Sequence, residues 1–263
     1  MILTFLRSLL YMVLLVVTVI PFATFLTLFI VTPVRVRYRV AVQWPRFAVW
    51  AGKVVCGMQY EFRGLEVFER LDRENVPVIL APKHQSAWET CALPLKMPRE
   101  VCYVYKRELH WVPFFGWGLA QLRMIHIDRA KRSEALEQVA RQGAQRLAEG
   151  RWIVLFPEGT RTSVGARTRY KAGAARLAVQ TGAVMVPIAI NSGECWPRQA
   201  FIKKPGKIIV SIGAPITSVG KTAEQLTAEV ETWIETEMRR ISAPGIYTGP
   251  YIFQTDTPPN ESA

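Results

Sequence analysis

A short apolar run followed directly by a polar cluster recurs four times in this chain. Residues 76–80 lead to His84, and residues 101–105 to Lys106. Residues 124–127 lead to Asp128 and Arg129, and residues 152–156 to Glu158, Gly159, Thr160 and Arg161. Brief β-branched runs of this kind suit buried strands of a parallel sheet. Residues 184–190 and 207–212 add two more, and residues 58–65 alternate as a strand with Tyr60 and Phe62 on one side. Helical stretches lie between them. Residues 133–149 put Leu136, Val139, Gly143 and Leu147 on one stripe and stop at Gly150, and a helix over residues 171–181 closes at Gly182. Thr222 with Gln225 forms a capping box that opens a helix with Leu226, Val230, Trp233 and Ile234 inward. Alternating strands and helices predict an α/β fold, with a largely parallel mixed sheet flanked by helices. Such sheets gather functional groups at the carboxyl ends of their strands, where all four polar clusters fall.

The first cluster reads Pro82-Lys83-His84-Gln85-Ser86-Ala87-Trp88-Glu89. Ser86 and Glu89 have the spacing of a capping box, so a helix is expected to start near Ala87. Side chains in a first turn lean toward the N-terminus, which aims Glu89 back at His84. A carboxylate there fixes one imidazole tautomer and stabilises the imidazolium, a charge that a helix N-terminus alone disfavours. His84 is therefore read as a general base and Glu89 as the group that orients it.

Between Arg7 and Arg35 lie 27 uncharged residues. As a helix that run is about 40 Å long, against about 30 Å of bilayer hydrocarbon. It is too long for a cleaved leader, and Pro21 leaves it compatible with one kinked span or two shorter helices entering one leaflet. Arg35, Arg37, Arg39 and Arg46 follow it, against Arg7 before it. If the segment spans, that asymmetry places the following domain on the cytoplasmic face of the membrane. Each arginine near anionic headgroups contributes roughly 1 kcal/mol. A net charge of +12 with 50% hydrophobic residues points to anionic lipid or a phosphorylated substrate. No zinc-type Cys/His spacing or RNA-binding aromatic signature is present, so neither a metal nor a nucleic-acid partner is expected. Residues 1–45 are read as a membrane anchor with a basic flank, 46–241 as the catalytic domain and 242–263 as a tail with a disordered end. A helix is expected over residues 47–55. Cys56, Cys91, Cys102 and Cys195 read as reduced core residues, and His126, between Ile125 and Ile127, as structural. The aromatic stretch 111–118 is either a buried core loop or a bilayer-facing surface or acyl-chain channel.

Together these blocks resemble the glycerolipid acyltransferase family. His84 to Glu89 matches its H-x4-D block. Ile127-Asp128-Arg129 matches the end of the second block, Phe156 to Arg161 the third and Val186-Pro187-Ile188 the fourth. The spacing of Lys106, Glu108, Leu109, Pro113 and Gly116 is a further family feature, and the match covers roughly residues 75–190. Two positions depart from the pattern: Glu89 replaces the usual aspartate, and Lys83 the asparagine that commonly precedes the histidine. The resemblance implies transfer of a fatty acyl group from acyl-CoA or acyl carrier protein to the 2-hydroxyl of lysophosphatidic acid, at a bacterial inner membrane. Another lysophospholipid or lyso-aminolipid is the alternative acceptor. The co-substrate carries the acyl group, and no cofactor is implied. In this setting Lys106, Arg129 and Arg161 are the candidates for the acceptor's phosphate. Glu158 is read as holding either Arg161 or the acceptor's glycerol. The turn at Gly159 and Thr160 offers backbone N–H groups to an anion or oxyanion. No G-x-S-x-G elbow is found, so direct attack on the thioester is expected, without an acyl-enzyme.

Overall fold

The structure, a computed structural model, describes residues 1–112, 115–128 and 132–248. Seven strands form one sheet: β1 (Met58–Arg63), β2 (Val78–Pro82), β3 (Val101–Lys106), β4 (Ile125–Ile127), β5 (Trp152–Val154), β6 (Val184–Ile190) and β7 (Gly206–Ile212). Their order is β1-β7-β6-β2-β5-β3-β4. Every adjacent pair is parallel except β6 with β7. Five neighbouring strands, β6 to β4, therefore run the same way and deliver their carboxyl ends to one edge. β2 is buried at all five positions and β5 at all three, as strands covered on both faces must be. The expected largely parallel sheet flanked by helices is present.

The helices are α1 (Ile2–Thr27), α2 (Val34–Ala41), α3 (Gln43–Cys56), α4 (Glu66–Arg73), α5 (Trp88–Ala92), α6 (Phe115–Gln121), α7 (Arg132–Ala148), α8 (Gly173–Thr181) and α9 (Ala223–Ile241). α8 ends where the sequence indicated, with Gly182 at φ 69°, and Gly150 beyond α7 has φ 76°. Both halves of the α9 capping box form: Gln225 N–H donates to Thr222 Oγ1 at 3.2 Å, and Thr222 N–H to Gln225 Oε1 at 2.8 Å. The stripe on α7 carries buried Val139 and Leu147, and at Gly143 it comes close to α8. A Cβ added there would lie 2.6 Å from Leu177 Cδ2.

Four features differ from the sequence reading. β2 starts at Val78, because Val76 N–H closes α4 onto Leu71 O; it runs on to Pro82, and Lys83 N–H then bonds Ile188 O at 2.8 Å. α2 was not foreseen, since its alternating arginines carry no apolar stripe, and α3 begins before residue 47. The Ser86 box forms only in half. Ser86 Oγ accepts from Trp88 N–H at 3.1 Å, not from residue 89, while Glu89 does return to Ser86 N–H.

α1 is continuous through Pro21 and has a mean hydropathy of 2.5 over its best window. It lies against the body of the protein along most of its length. Ser8 Oγ accepts Lys203 N–H at 2.9 Å, Tyr11 OH donates to Ala48 O at 3.1 Å, and Trp44 Nε1 donates to Thr18 Oγ1 at 3.2 Å. Its opposite side exposes Leu6, Leu9, Leu10, Val13, Val16 and Val17. In the aromatic stretch, Trp111 and Trp117 are 83% and 49% exposed, which supports the outward reading; Pro113 lies outside the described residues. All four cysteines are free. Gly143→Val should destabilise the protein by about 1–3 kcal/mol through overpacking between α7 and α8. Thermal unfolding in detergent measures this, and an unchanged midpoint would contradict the close approach.

Candidate active site

β2 ends at a buried Pro82, so the next residues must leave the sheet with their backbone N–H groups unpaired unless side chains supply acceptors. Two buried carboxylates do so. Glu158, on the loop after β5, accepts His84 N–H on Oε2 at 2.8 Å. Glu89, in the first turn of α5, accepts Gln85 N–H at 2.6 Å and Ser86 N–H at 3.0 and 2.9 Å. Three successive amides are thereby held in order. The carbonyl of His84 is fixed as well, by Thr162 N–H at 2.8 Å, with the Thr162 hydroxyl 3.2 Å from both that carbonyl and Glu158 Oε1.

The imidazole of His84 stacks on Phe156, with ring centroids 3.7 Å apart and planes 20° from parallel. Its Nδ1 is buried and faces Glu89 Oε2 at 3.5 Å, longer than a good hydrogen bond. Catalytic pairs are often loose before substrate arrives. Glu89 is fully buried and also accepts Ser192 Oγ–H at 3.0 Å, while the His84 side chain retains 14% exposure. With Nδ1 turned to the carboxylate, Nε2 on the far side of the ring is the nitrogen left for a substrate proton.

Behind the histidine lies a buried ionic group. Lys83 Nζ stands 2.6 Å from Glu158 Oε1 and 2.6 Å from Glu235 Oε1, and Tyr170 OH donates to Glu235 at 2.9 Å. Burial alone would pull the Lys83 ammonium down, but Glu158 and Glu235 outweigh it and hold it above its ordinary range. Burial pushes Glu158 up, and Lys83 offsets only part of that.

This arrangement has relatives. A model of the family described as Acyltransferase matches residues 59–191, half of the chain. The chain belongs to the acyltransferase family. It is 42% identical over 216 residues to the 1-acyl-sn-glycerol-3-phosphate acyltransferase of Pseudomonas aeruginosa, covering 81% of this chain and 82% of that one. It is 28% identical to human 1-acyl-sn-glycerol-3-phosphate acyltransferase alpha, over 76% of this chain and 71% of that protein. Its fold matches the crystal structure of the 1-acyl-sn-glycerophosphate acyltransferase PlsC of Thermotoga maritima with a TM-score of 0.73. That match, at 21% identity, covers 89% of this chain and 94% of that one.

In this acyltransferase the sequence-predicted site residues fall into three groups. His84, Glu89 and Glu158 converge as one hydrogen-bonded unit. Glu158 does not hold Arg161, as one of its two sequence readings had it; it is buried against Lys83 and the His84 amide, while Arg161 is exposed. Lys106 is exposed at the end of β3, two strands and so about 10 Å along the sheet from β2. Arg129 lies outside the described residues. Gly159 turns the chain at φ 69°, but its own N–H closes the turn onto Phe156 O at 3.0 Å. The N–H groups of Thr160 and Arg161 have no intramolecular hydrogen bond to described residues, and these are the donors the turn offers.

Several contributors were not singled out beforehand. Ser192 follows β6, so the rule that selected the other clusters also points to it. Thr162 lies just past the third block, and Phe156 is the residue that opens it. Lys171 Nζ lies against the Gly159 turn, 2.9 Å from where a Cβ would sit, and adds a cation there. Glu235 comes from α9, and no sequence spacing ties it to residue 83. Among the described residues no group of three or more His, Cys, Asp or Glu side chains is placed to hold a metal. If Glu89 orients the base, Glu89→Gln should lower kcat at least ~10²-fold. Ser192→Ala should cost about 3- to 10-fold by releasing one hydrogen bond. Steady-state kinetics on folded variants checks both, and a wild-type kcat in Glu89→Gln would leave Glu89 a helix cap only.

Proposed function

We propose that this acyltransferase moves a fatty acyl group from acyl-CoA or acyl carrier protein to the 2-hydroxyl of lysophosphatidic acid, giving phosphatidic acid. The observation that carries the reading is a largely buried imidazole whose Nδ1 faces a buried carboxylate at 3.5 Å, which turns Nε2 toward a substrate hydroxyl. The Pseudomonas relative, 42% identical over most of both chains and named for this acceptor, supports the choice of substrate.

In the proposed step His84 Nε2 takes the proton of the 2-hydroxyl as its oxygen forms a bond to the thioester carbonyl carbon. An alcohol is a poor nucleophile at neutral pH, and a positioned base typically contributes ~10²- to 10⁴-fold. Glu89 stabilises the imidazolium meanwhile. The tetrahedral oxyanion is served by the N–H groups of Thr160 and Arg161. Its collapse breaks the carbon–sulfur bond, and the departing thiolate recovers the proton from His84. The co-substrate brings the acyl group, and the step calls on no cofactor or metal. Lys106 and Arg161, with Arg129, are assigned to the acceptor's phosphate, and the exposure of the first two leaves them available to it.

Residues 1–45 act as the anchor in this reading, and residues 46–241 as the catalytic domain. α1 is held to the body at Ser8, Tyr11 and Thr18, which favours entry into one leaflet over a span that leaves the domain behind. Exposed Trp50, Trp111 and Trp117 supply interfacial aromatics, and α2 adds Arg35 and Arg39. The domain then rests on the cytoplasmic face.

With oleoyl-CoA and lysophosphatidic acid, purified protein should release thiol and form phosphatidic acid, and His84→Ala should lose at least ~10²-fold in kcat. Lys106→Ala and Arg161→Ala should each raise KM for lysophosphatidic acid several-fold, by about 1 kcal/mol or more, and leave KM for the thioester unchanged. Turnover of a different lyso-lipid in place of lysophosphatidic acid would move the enzyme to another acceptor.

A further inference from the structure

The reaction above makes no use of Lys83, although it directly precedes the base and is fully buried. Its ammonium lies within 2.6 Å of two carboxylates from distant parts of the chain, Glu158 after β5 and Glu235 in α9. Glu235 lies outside the residues matched by the family model. It is itself held by Tyr170 OH at 2.9 Å, with Arg167 Nε 3.9 Å from its other oxygen. Glu158 is the junction: one oxygen faces Lys83, and the other accepts the amide of His84. A buried carboxylate without a counter-charge is strongly disfavoured, and two carboxylates left facing each other in a low-dielectric interior repel strongly. The geometry around Glu158, and with it the His84 peptide, depends on where the Lys83 ammonium sits.

We propose that Glu235 is a positioning residue of the active site: it anchors the Lys83 ammonium, which fixes Glu158, which in turn fixes the His84 peptide. α9 thereby completes the site from beyond the matched domain. Its kinetic test rests on the acyl-transfer reading, and a second readout does not.

The variants are Lys83→Met, Glu235→Gln and the two combined; Gln keeps the size and an acceptor oxygen. The first readout is kcat per folded molecule with oleoyl-CoA and lysophosphatidic acid. The second is the rate of carbethoxylation of His84 by diethyl pyrocarbonate, by peptide mass spectrometry, with His126 as internal reference among the three histidines. Lys83→Met should lower kcat at least ~10-fold, because it leaves two buried carboxylates opposed, and KM for the thioester should change by less than about threefold. His84 should become several-fold more reactive while His126 does not change. Glu235→Gln should have smaller effects in the same direction. The double variant should be more active than Lys83→Met alone, because removing one carboxylate relieves the other, and contacting residues are non-additive. Effects that simply multiply, or a folded Lys83→Met with wild-type kcat and His84 reactivity, would overturn the proposal. If Lys83→Met fails to fold, Glu235→Gln decides, and unchanged His84 reactivity in it would overturn the proposal. If wild type does not acylate lysophosphatidic acid, the functional reading falls, while carbethoxylation still decides the positioning.

Discussion

Three amides in a row, those of His84, Gln85 and Ser86, leave the sheet beyond β2 and are satisfied by two buried carboxylates. The rest of the site depends on that arrangement. A buried carboxylate needs several donors or a counter-charge, and a buried amide needs an acceptor; here each requirement meets the other. Glu89 collects two amides and a hydroxyl and still faces the imidazole. Glu158 collects one amide and an ammonium. The base is thus placed by its own backbone as much as by its side chain.

The sheet makes this possible. Five neighbouring parallel strands bring β6, β2, β5, β3 and β4 to a common edge, so residues far apart in sequence arrive side by side. Ser192 comes from beyond β6, Lys83 and His84 from beyond β2, Glu158 and Thr162 from beyond β5, and Lys106 from β3. α9 closes the arrangement from behind through Glu235. The proposed division of labour follows the same edge: proton transfer beyond β2, oxyanion and phosphate contacts beyond β5, and a further cation at the end of β3.

Much of this was legible in the sequence, because strands that end in polar clusters advertise both the sheet and its functional edge. The spacing of His84 and Glu89 suggested that they face each other across one short turn, but only the other ordered blocks made that pairing worth more than a helix cap. The partners of Glu158 could not. Whether its carboxylate meets Arg161, a substrate or the His84 amide depends on how the loop after β5 folds over β2, which is a long-range packing event. Glu235 was invisible for the same reason: α9 reads as an ordinary amphipathic helix, and nothing local marks one glutamate as facing a buried lysine. The half-formed box at Ser86 shows the converse. There the spacing was right, but Glu89 was drawn to two amides and a hydroxyl, and Ser86 capped a nearer N–H instead. In α2, arginines at alternate positions hid a helix whose place is set by packing on α1, α3 and α6.

The most direct test of the account is a structure of the enzyme bound to lysophosphatidic acid in a membrane mimetic. The 2-hydroxyl should lie within hydrogen-bond distance of His84 Nε2, with the phosphate on the side of Lys106 and Arg161 and Nδ1 still turned to Glu89. A 2-hydroxyl remote from the imidazole, or a His84 whose Nδ1 has left Glu89 for the ligand, would contradict it.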